Sequence, residues 1–248
     1  MFSDTITFQL ATHFLPRVAL RVECLYQTIN QACEETHPVI HHYALKNTIE
    51  IIQLIEKPEL KSRFLKELMR IEHTLIRYNN SFDRELQESL HDQIHNLNQT
   101  VGRFGDKIHT IPFLQSIRVS QSLHNQDCEI HSPQLLLWLE SDPIIRQRDL
   151  MLWLSYIQPL TTAVNLYLKL LRSTAEFDQI ELVNGFYQRP IPSKTSCHLI
   201  LLRMNKSSGI VPRMQLGHHG FSLRLCEANS MHEIRQAKAS VDLAICQI

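Results

Sequence analysis

The chain has 248 residues, and 25 Lys plus Arg balance 25 Asp plus Glu, so its formal net charge is zero. This length allows one large or two small cores, and the balanced charge argues against a general binder of polyanions. The N-terminal MFSDTITFQL lacks a basic signal region, and no uncharged apolar run reaches the roughly 18 residues of a membrane span. The six cysteines are scattered and lack a C-x-x-C pair, which is typical of reduced thiols. We therefore predict a cytoplasmic protein.

The first predicted element is a short strand over residues 5 to 10, TITFQL, whose apolar and polar residues alternate. Amphipathic helices follow, because apolar residues recur at three- and four-residue steps. The stripes are Leu15, Val18, Val22, Leu25 and Ile29 around Pro16; Leu60, Phe64, Leu68, Ile71 and Leu75 after Pro58; and Leu86, Leu90, Ile94, Leu97 and Val101. A further helix over residues 40 to 55 is apolar enough to be central.

The next predicted helices are marked by prolines. One runs from Pro112 to Leu123, and another begins at SPQLLLWLE with Ser132 as the N-cap and Pro133 at the first helical position. Further helices are expected after Pro143 and after Pro159. The last of these places Leu160, Ala163, Val164, Tyr167, Leu168 and Leu171 on one face. The total is seven or eight helices, which we assign to a domain over residues 1 to 178.

Beyond this domain the apolar period changes from 3.6 to 2. The segments 198 to 204, 221 to 225 and 241 to 245 alternate as antiparallel strands do, with turn residues between them. We therefore predict an α+β fold, in which a small antiparallel β domain over residues 179 to 248 follows the helical domain. The N-terminal strand is expected to add an edge to that sheet.

Catalytic and cofactor motifs find no support in the chain. None of its six glycines forms a phosphate loop, a dinucleotide fingerprint or a nucleophile elbow. Glu88, His91 and His95 could hold a metal from one helix face, but the pattern lacks a catalytic glutamate and a third ligand, so a solvated helix face is favoured. The histidine doublets 41–42 and 218–219 point apart. We predict no enzyme activity, no metal and no cofactor.

The placement of charge is uneven. The stretch from Leu182 to Cys226 contains no acid, and it carries six bases: Arg189, Lys194, Arg203, Lys206, Arg213 and Arg224. This pattern is typical of a binding surface for an acidic peptide or nucleic acid, or of a solvated face whose partner acids lie in the helical domain. The two functional alternatives stay open on charge alone.

Several stretches together resemble the Z-ring-associated protein D (ZapD) family of bacterial division proteins. They are ALRVE at 19 to 23, FLKEL at 64 to 68, FLQSIR at 113 to 118, PQLLLWL at 133 to 139, IQPLTTAVNLYLKLLR at 157 to 172, NGFYQ at 184 to 188 and LLRMN at 201 to 205. The resemblance implies a cytosolic homodimer at the mid-cell division site, without catalytic activity. Such a protein would bind the C-terminal tail of FtsZ and cross-link its filaments.

The resemblance also implies a basic site for the tail. The matching positions are Arg21, Lys57, Arg118 and Arg224, to which the acid-free stretch adds Arg203 and Arg213. Alternation places Arg224 opposite Phe221, Leu223 and Leu225 on its strand. Two departures from the family are a short segment between Arg118 and Pro133, and Gly220 where a base is expected; Arg213, His218 and His219 are candidates to replace that charge.

The NGFYQ stretch is expected to form a tight turn at the seam between the two domains. Asn-Gly tolerates the positive φ that such a turn needs, and Phe186 and Tyr187 would pack the seam. The alternative function, a nucleic-acid-binding regulator that uses the same basic sheet, is weakened because the sequence lacks a basic helix-turn-helix and clustered aromatics on basic strands.

Overall fold

The structure of the chain is a computed structural model, which describes residues 4–78, 83–124, 132–191, 197–218, 220–235 and 239–248. The chain forms two compact units. The helical unit is Val18–Tyr167, and the β unit combines Met1–Arg17 with Leu168–Ile248. Helices dominate the first part of the chain and antiparallel strands the last, so the predicted α+β class is confirmed.

Seven α-helices lie within the described ranges. They are α1 Phe14–Ala32, α2 Pro38–Ile55, α3 Glu59–Tyr78, α4 Arg84–Gln99, α5 Pro112–His124, α6 Pro133–Leu139 and α7 Pro143–Ser173. The apolar stripes predicted for α1, α3, α4 and α7 are buried with one exception. Val101 is 93% exposed, because α4 ends at Gln99 and no longer carries it toward the core.

Aromatic side chains organise the core of the helical unit. Phe64 on α3 meets Tyr167 on α7 edge to face at 5.8 Å between ring centroids, and it meets Phe104 at 6.2 Å. All three rings are almost fully buried, and burial raises the pKa of Tyr167 far above its ordinary value. Edge-to-face contacts of this kind add to the free energy gained by burying each ring.

Caps and prolines determine where some of the helices begin. Ser132 accepts a hydrogen bond from the Leu135 amide at 3.3 Å, and Pro133 takes the first helical position, both as predicted. The prediction of a new helix after Pro159 is wrong, since Pro159 lies inside the 31-residue α7. A proline costs one backbone hydrogen bond there. The buried face that α7 presents on both sides of Pro159 compensates for this loss.

The β unit contains two antiparallel sheets. The strands are β1 Thr5–Ala11, β2 Asp178–Leu182, β3 Phe186–Arg189, β4 Cys197–Asn205, β5 Ile210–Gly217, β6 Gly220–Glu227 and β7 Ala239–Gln247. One sheet has the order β1-β4-β7-β2 and the other the order β3-β6-β5. The N-terminal strand pairs with β4 in full register, Thr5 opposite Asn205 and Ala11 opposite Leu199, and so forms the predicted edge.

A single apolar cluster fills the space between these sheets. Leu202 and Met204 of β4 and Leu243 of β7 meet Phe221, Leu223 and Leu225 of β6. Because side chains alternate along a strand, the residues between these positions point away from the cluster. The core therefore determines which arginines of the β unit reach its outer faces.

The NGFYQ stretch is a hairpin turn within the β unit, not a seam between the two units. Asn184 and Gly185 have φ of 55° and 68°, as a type I′ turn requires, and Val183 and Phe186 exchange two backbone hydrogen bonds of 3.1 Å. The turn passes the chain from β2 in one sheet to β3 in the other. Tyr187 packs on the core cluster, whereas Phe186 lies on the outer face.

Candidate partner-binding surface

Arg224 lies at the centre of the outer face of the three-stranded sheet. Its neighbours across the strands are Phe186 on β3 and Arg213 on β5. The guanidinium stands over the Phe186 ring, 4.7 Å from its centroid, and 46% of the side chain is exposed. Phe221, Leu223 and Leu225 face the core, so the predicted orientation of Arg224 is confirmed.

Glu233 joins Arg224 to Arg213. One carboxylate oxygen lies 3.0 Å from Arg224 Nη1, and the other lies 3.4 Å from Arg213 Nη1. We call Phe186, Arg213, Arg224 and Glu233 the Arg224 patch. Its two arginines and one glutamate leave one net positive charge. The arginines also lie side by side in register, so their mutual repulsion is offset by the carboxylate that they share.

The segment that carries Glu233 continues the sheet along β6, beyond the residue at which β3 begins. The Glu227 amide donates to the His232 carbonyl at 3.0 Å, and the Ile234 amide donates to the Leu225 carbonyl at 2.9 Å. A β-bridge between Cys226 and Glu233 fixes the glutamate on the face of Arg224. Sequence reasoning missed Glu233, because it lies seven residues beyond the acid-free stretch and only the chain reversal returns it to the arginines.

Arg203 lies on the other side of the β unit. It belongs to β4, and the neighbouring Leu202 and Met204 point into the core cluster. Its guanidinium covers the Phe177 ring at 3.9 Å from the centroid. Because Arg203 and Arg224 both point away from the core cluster between the two sheets, they lie on opposite sides of the β unit. The basic residues of the acid-free stretch therefore do not form one continuous patch.

Arg21 forms a two-pronged ion pair in the helical unit. Its Nε and Nη2 each lie 2.6 Å from an oxygen of Glu50 on α2, and half of the arginine side chain is exposed. The hydrogen bond to Glu50 raises the pKa of Arg21 above the ordinary value of an arginine. Arg21 is thus off the buried α1 stripe, as predicted, but it is already paired within the chain.

Arg118 and Lys57 lie together at the C-terminal end of α2. Arg118 on α5 contacts Glu56 through Nη2, and exposed Lys57 is the next residue along the chain. The Arg118 Nε is buried and has no hydrogen-bond partner among the described residues. An unpaired buried donor costs free energy, and the exposed quarter of the Arg118 side chain is the part that a partner would reach.

Steric contact explains the glycine where the family resemblance implies a base. Gly220 has a φ of 104°, and a Cβ at this position would come within 2.7 Å of backbone atoms of Arg189, Pro190 and Ile191. No side chain fits without moving that segment. His218 is exposed in the adjoining turn, whereas His219 and Lys194 lie outside the described residues.

The residues considered as metal ligands have separate partners. Glu88 pairs with Arg84, His91 Nδ1 contacts Glu72 at 3.0 Å, and His95 contacts Gln99 at 2.7 Å. Within the described ranges, no three His, Cys, Asp or Glu side chains come together as a metal site would require. Among the same residues, no helix has the length and hydropathy of a membrane span.

The fold and the surface together define an α+β protein with a helical unit, a two-sheet β unit and arginines on exposed faces. Residues 20–224 match the family described as "ZapD: Cell division protein", so the chain belongs to the ZapD family of cell division proteins. The Coxiella burnetii RSA 331 "Cell division protein ZapD" is 26% identical over 100% of both chains. The Vibrio cholerae O395 protein of that name is also 26% identical, over 93% of this chain and 94% of its own.

Proposed function

We propose that this cell division protein is a non-catalytic adaptor that binds the C-terminal tail of FtsZ at mid-cell and cross-links FtsZ filaments as a homodimer. The observation that carries the proposal is the Arg224 patch, in which two adjacent arginines share one carboxylate beside a half-buried aromatic ring. An acidic peptide would replace or join Glu233 at these arginines. Its aliphatic or aromatic side chains would cover Phe186.

The helical unit supports the same proposal through Arg118. Arg118 exposes 25% of its side chain next to Glu56, and a carboxylate supplied by the tail would bind to this exposed part. Lys57 and Arg21 are further contacts in this proposal. Arg21 is paired with Glu50 on α2 and Arg118 with Glu56, the residue after α2, so the tail would exchange one charge-assisted hydrogen bond for another and gain only the difference.

Self-association is proposed to use an apolar stripe on α7 and α6. Ile144, Met151 and Leu152 are 71%, 56% and 45% exposed and recur at the spacing of one helix face, and Leu137 on α6 is 77% exposed. Such a stripe resembles one half of an interface core. A dimer built on it would carry two tail sites, which is the minimum for cross-linking filaments.

A tail-peptide titration tests the binding site. We expect Arg224→Glu to lower affinity at least about tenfold, because a charge-assisted contact is replaced by repulsion. Arg203→Glu, the same change on the opposite outer face, should have a much smaller effect. Arg84→Glu on α4, whose side chain is 90% exposed, controls for the added negative charge. Equal losses in all three variants would mean that the Arg224 patch is not the site.

Salt and filament assays separate binding from bundling. Peptide affinity should fall as ionic strength rises, since attraction between exposed charges is screened over about 8 Å at physiological salt. Sedimentation with full-length FtsZ should show bundles that disappear when its tail is removed. Bundling of tail-less FtsZ would overturn the proposed mode of attachment.

Light scattering tests the dimer. The parent chain should give twice its 29.0 kDa mass at micromolar concentration, and Met151→Lys should shift it to monomer. Val101→Lys, at a 93% exposed valine outside the stripe, is the matched control. If Met151→Lys remains a dimer, the chain self-associates through another surface. If the parent chain is a monomer, it carries one tail site and does not cross-link filaments in the proposed way.

A further inference from the structure

A buried arginine holds the start of α7 to the segment before α2. Arg146 is only 3% exposed, and its Nη1 donates to the carbonyl of Leu139 at 2.8 Å and to that of Ser141. Its Nη2 donates to the carbonyl of Thr36 at 2.8 Å. We call the segments 35–41 and 139–146 the Arg146 corner. Three of the four acceptors of Arg146 there are backbone carbonyls.

The fourth acceptor of Arg146 is a fully buried histidine. Arg146 Nε lies 2.9 Å from His41 Nδ1, and an arginine can only donate, so Nδ1 must carry the lone pair. The proton of neutral His41 is therefore on Nε2, which donates to the carbonyls of Glu35 at 2.8 Å and Ala32 at 3.1 Å. These contacts require the neutral ring in one tautomer.

The charged groups around His41 do not favour a second positive charge. Among the described residues, no carboxylate lies within ion-pair distance of Arg146, whose described bonds all go to carbonyls and His41. Burial, together with the charge of Arg146, lowers the pKa of His41. These effects outweigh the hydrogen bonds to the carbonyls of Glu35 and Ala32 and the charge of Glu35, which raise the pKa. The other ionisable caps of the corner are His37 at the start of α2 and Asp142, which caps α7.

We propose that His41 and Arg146 form a pH-sensitive latch, in which protonation of His41 turns the acceptor of Arg146 into a donor and releases the α6–α7 turn. Release would move the wall of a cavity of about 390 Å³ that Trp138, Ser141 and Ile145 help to line. The latch belongs to the chain itself, and its operation does not depend on the proposed partner. The α6–α7 turn would then open when His41 binds a single proton.

The direction of the effect follows from proton linkage. Because the folded pKa of His41 is lowered, the opened state binds the proton more readily, and the latch is complete above the unfolded pKa of about 6.5. Below that value the equilibrium constant for opening should rise by up to about tenfold per pH unit, until the folded pKa is reached. Stability is therefore lost as the pH falls.

The two tryptophans of the chain provide a direct reporter. Trp138 and Trp153 lie 5.7 Å apart between ring centroids, and the indole of Trp138 donates to Asp149 at 3.0 Å. Both are in this part of the helical unit. Tryptophan emission and urea unfolding of the full chain between pH 7.5 and 5.0 should therefore show the corner opening as acid is added.

The decisive variant is His41→Asn, which keeps an acceptor toward Arg146 and cannot titrate. The variant should lose the pH dependence that His41 causes. Below pH 6.5, the equilibrium constant for opening should therefore rise up to about tenfold more per pH unit in the parent than in the variant. His91→Asn, the same change at a side chain that is 75% exposed, should follow the parent. Identical pH profiles of His41→Asn and the parent would overturn the latch.

A second measurement decides the matter if His41→Asn does not fold. Histidine-labelled NMR of the parent chain, with His41 assigned through its contacts to Ala32 and Arg146, reports its tautomer and charge directly. A neutral ring protonated at Nε2 at pH 6 supports the latch. An imidazolium at pH 6 in the folded chain, or a ring protonated at Nδ1, would overturn it.

Discussion

Arg146 and Arg224 put the same side chain to different uses in the two units. Arg146 is buried and gives its hydrogen bonds to three backbone carbonyls and a histidine. Arg224 is nearly half exposed and holds a shared glutamate and an aromatic ring. The first arginine holds backbone segments together from within the helical unit. The second has partners that a ligand can replace.

This difference shows why burial separates structural arginines from candidate binding arginines. Removing a buried donor leaves acceptors that water cannot reach, so the cost falls on folding. An exposed ion pair contributes little to stability, because water solvates both charges when the pair opens. Substitutions at the two kinds of arginine should therefore change stability and partner binding to different extents.

The largest effect is expected for Arg146→Met. We expect the free energy of unfolding to fall by at least about 3 kcal/mol, since the buried His41 and three part-buried carbonyls lose their donor. Urea unfolding at pH 7.5 measures it. Arg148→Met on the same helix, with a 74% exposed side chain, should stay within about 0.5 kcal/mol of the parent. If both variants lose only about 0.5 kcal/mol of unfolding free energy, Arg146 does not have the structural role inferred for it.

Two phenylalanines of the β unit give the next comparison. Phe221→Ala should cost about 3–5 kcal/mol because the ring is fully buried in the core cluster. Phe186→Ala should cost about 1 kcal/mol, since its ring lies on the outer face under Arg224. Thermal unfolding measures both. If Phe186→Ala melts as low as Phe221→Ala, Phe186 is a core residue and does not belong to the Arg224 patch.

Two glycines test how Glu233 is positioned. A Cβ at Gly185 would lie 1.9 Å from the carbonyl oxygen of Ile234, in the segment that carries Glu233, whereas a Cβ at Gly209 would meet nothing within 4 Å. Both have positive φ. We expect Gly209→Ala to cost about 1 kcal/mol of backbone strain and Gly185→Ala at least about 2 kcal/mol.

Tail binding should follow the same difference. Gly185→Ala should alter peptide affinity as it shifts the 231–234 segment, and Gly209→Ala should not. Urea unfolding and the peptide titration are run on both variants. Equal stability losses would show that the segment adjusts freely and that Gly185 is needed only for its turn.

The smallest effect is expected for Glu233→Gln. Removing the internal competitor should raise affinity for the tail peptide by roughly threefold, the equivalent of an exposed ion pair of about 0.6 kcal/mol. Glu88→Gln, at an exposed ion pair on α4, should leave affinity unchanged. Weaker binding by Glu233→Gln would show that the glutamate orders the two arginines for the partner instead of competing with it.

Periodicity accounts for what the sequence predicted correctly. The stripe from Leu60 to Leu75 is buried because a helix repeats every 3.6 residues, and Arg224 faces outward because a strand repeats every two. Ser132 and Pro133 start α6 through a cap that involves only neighbouring residues. The strand β5 was missed, since Pro212 interrupts its pattern and the strand lies at a sheet edge.

Electrostatic pairing was decided by the tertiary structure. The sequence placed six bases in an acid-free stretch, but Glu233 reaches Arg213 and Arg224 only because the chain turns back beside β6. Likewise, Glu50 and Glu56 meet Arg21 and Arg118 across helix contacts that lie 29 and 62 residues apart in sequence. A charge acts through space over a few ångströms, so its partner depends on the fold and not on distance along the chain. The same reason hid the contact of His41 with Arg146, 105 residues away.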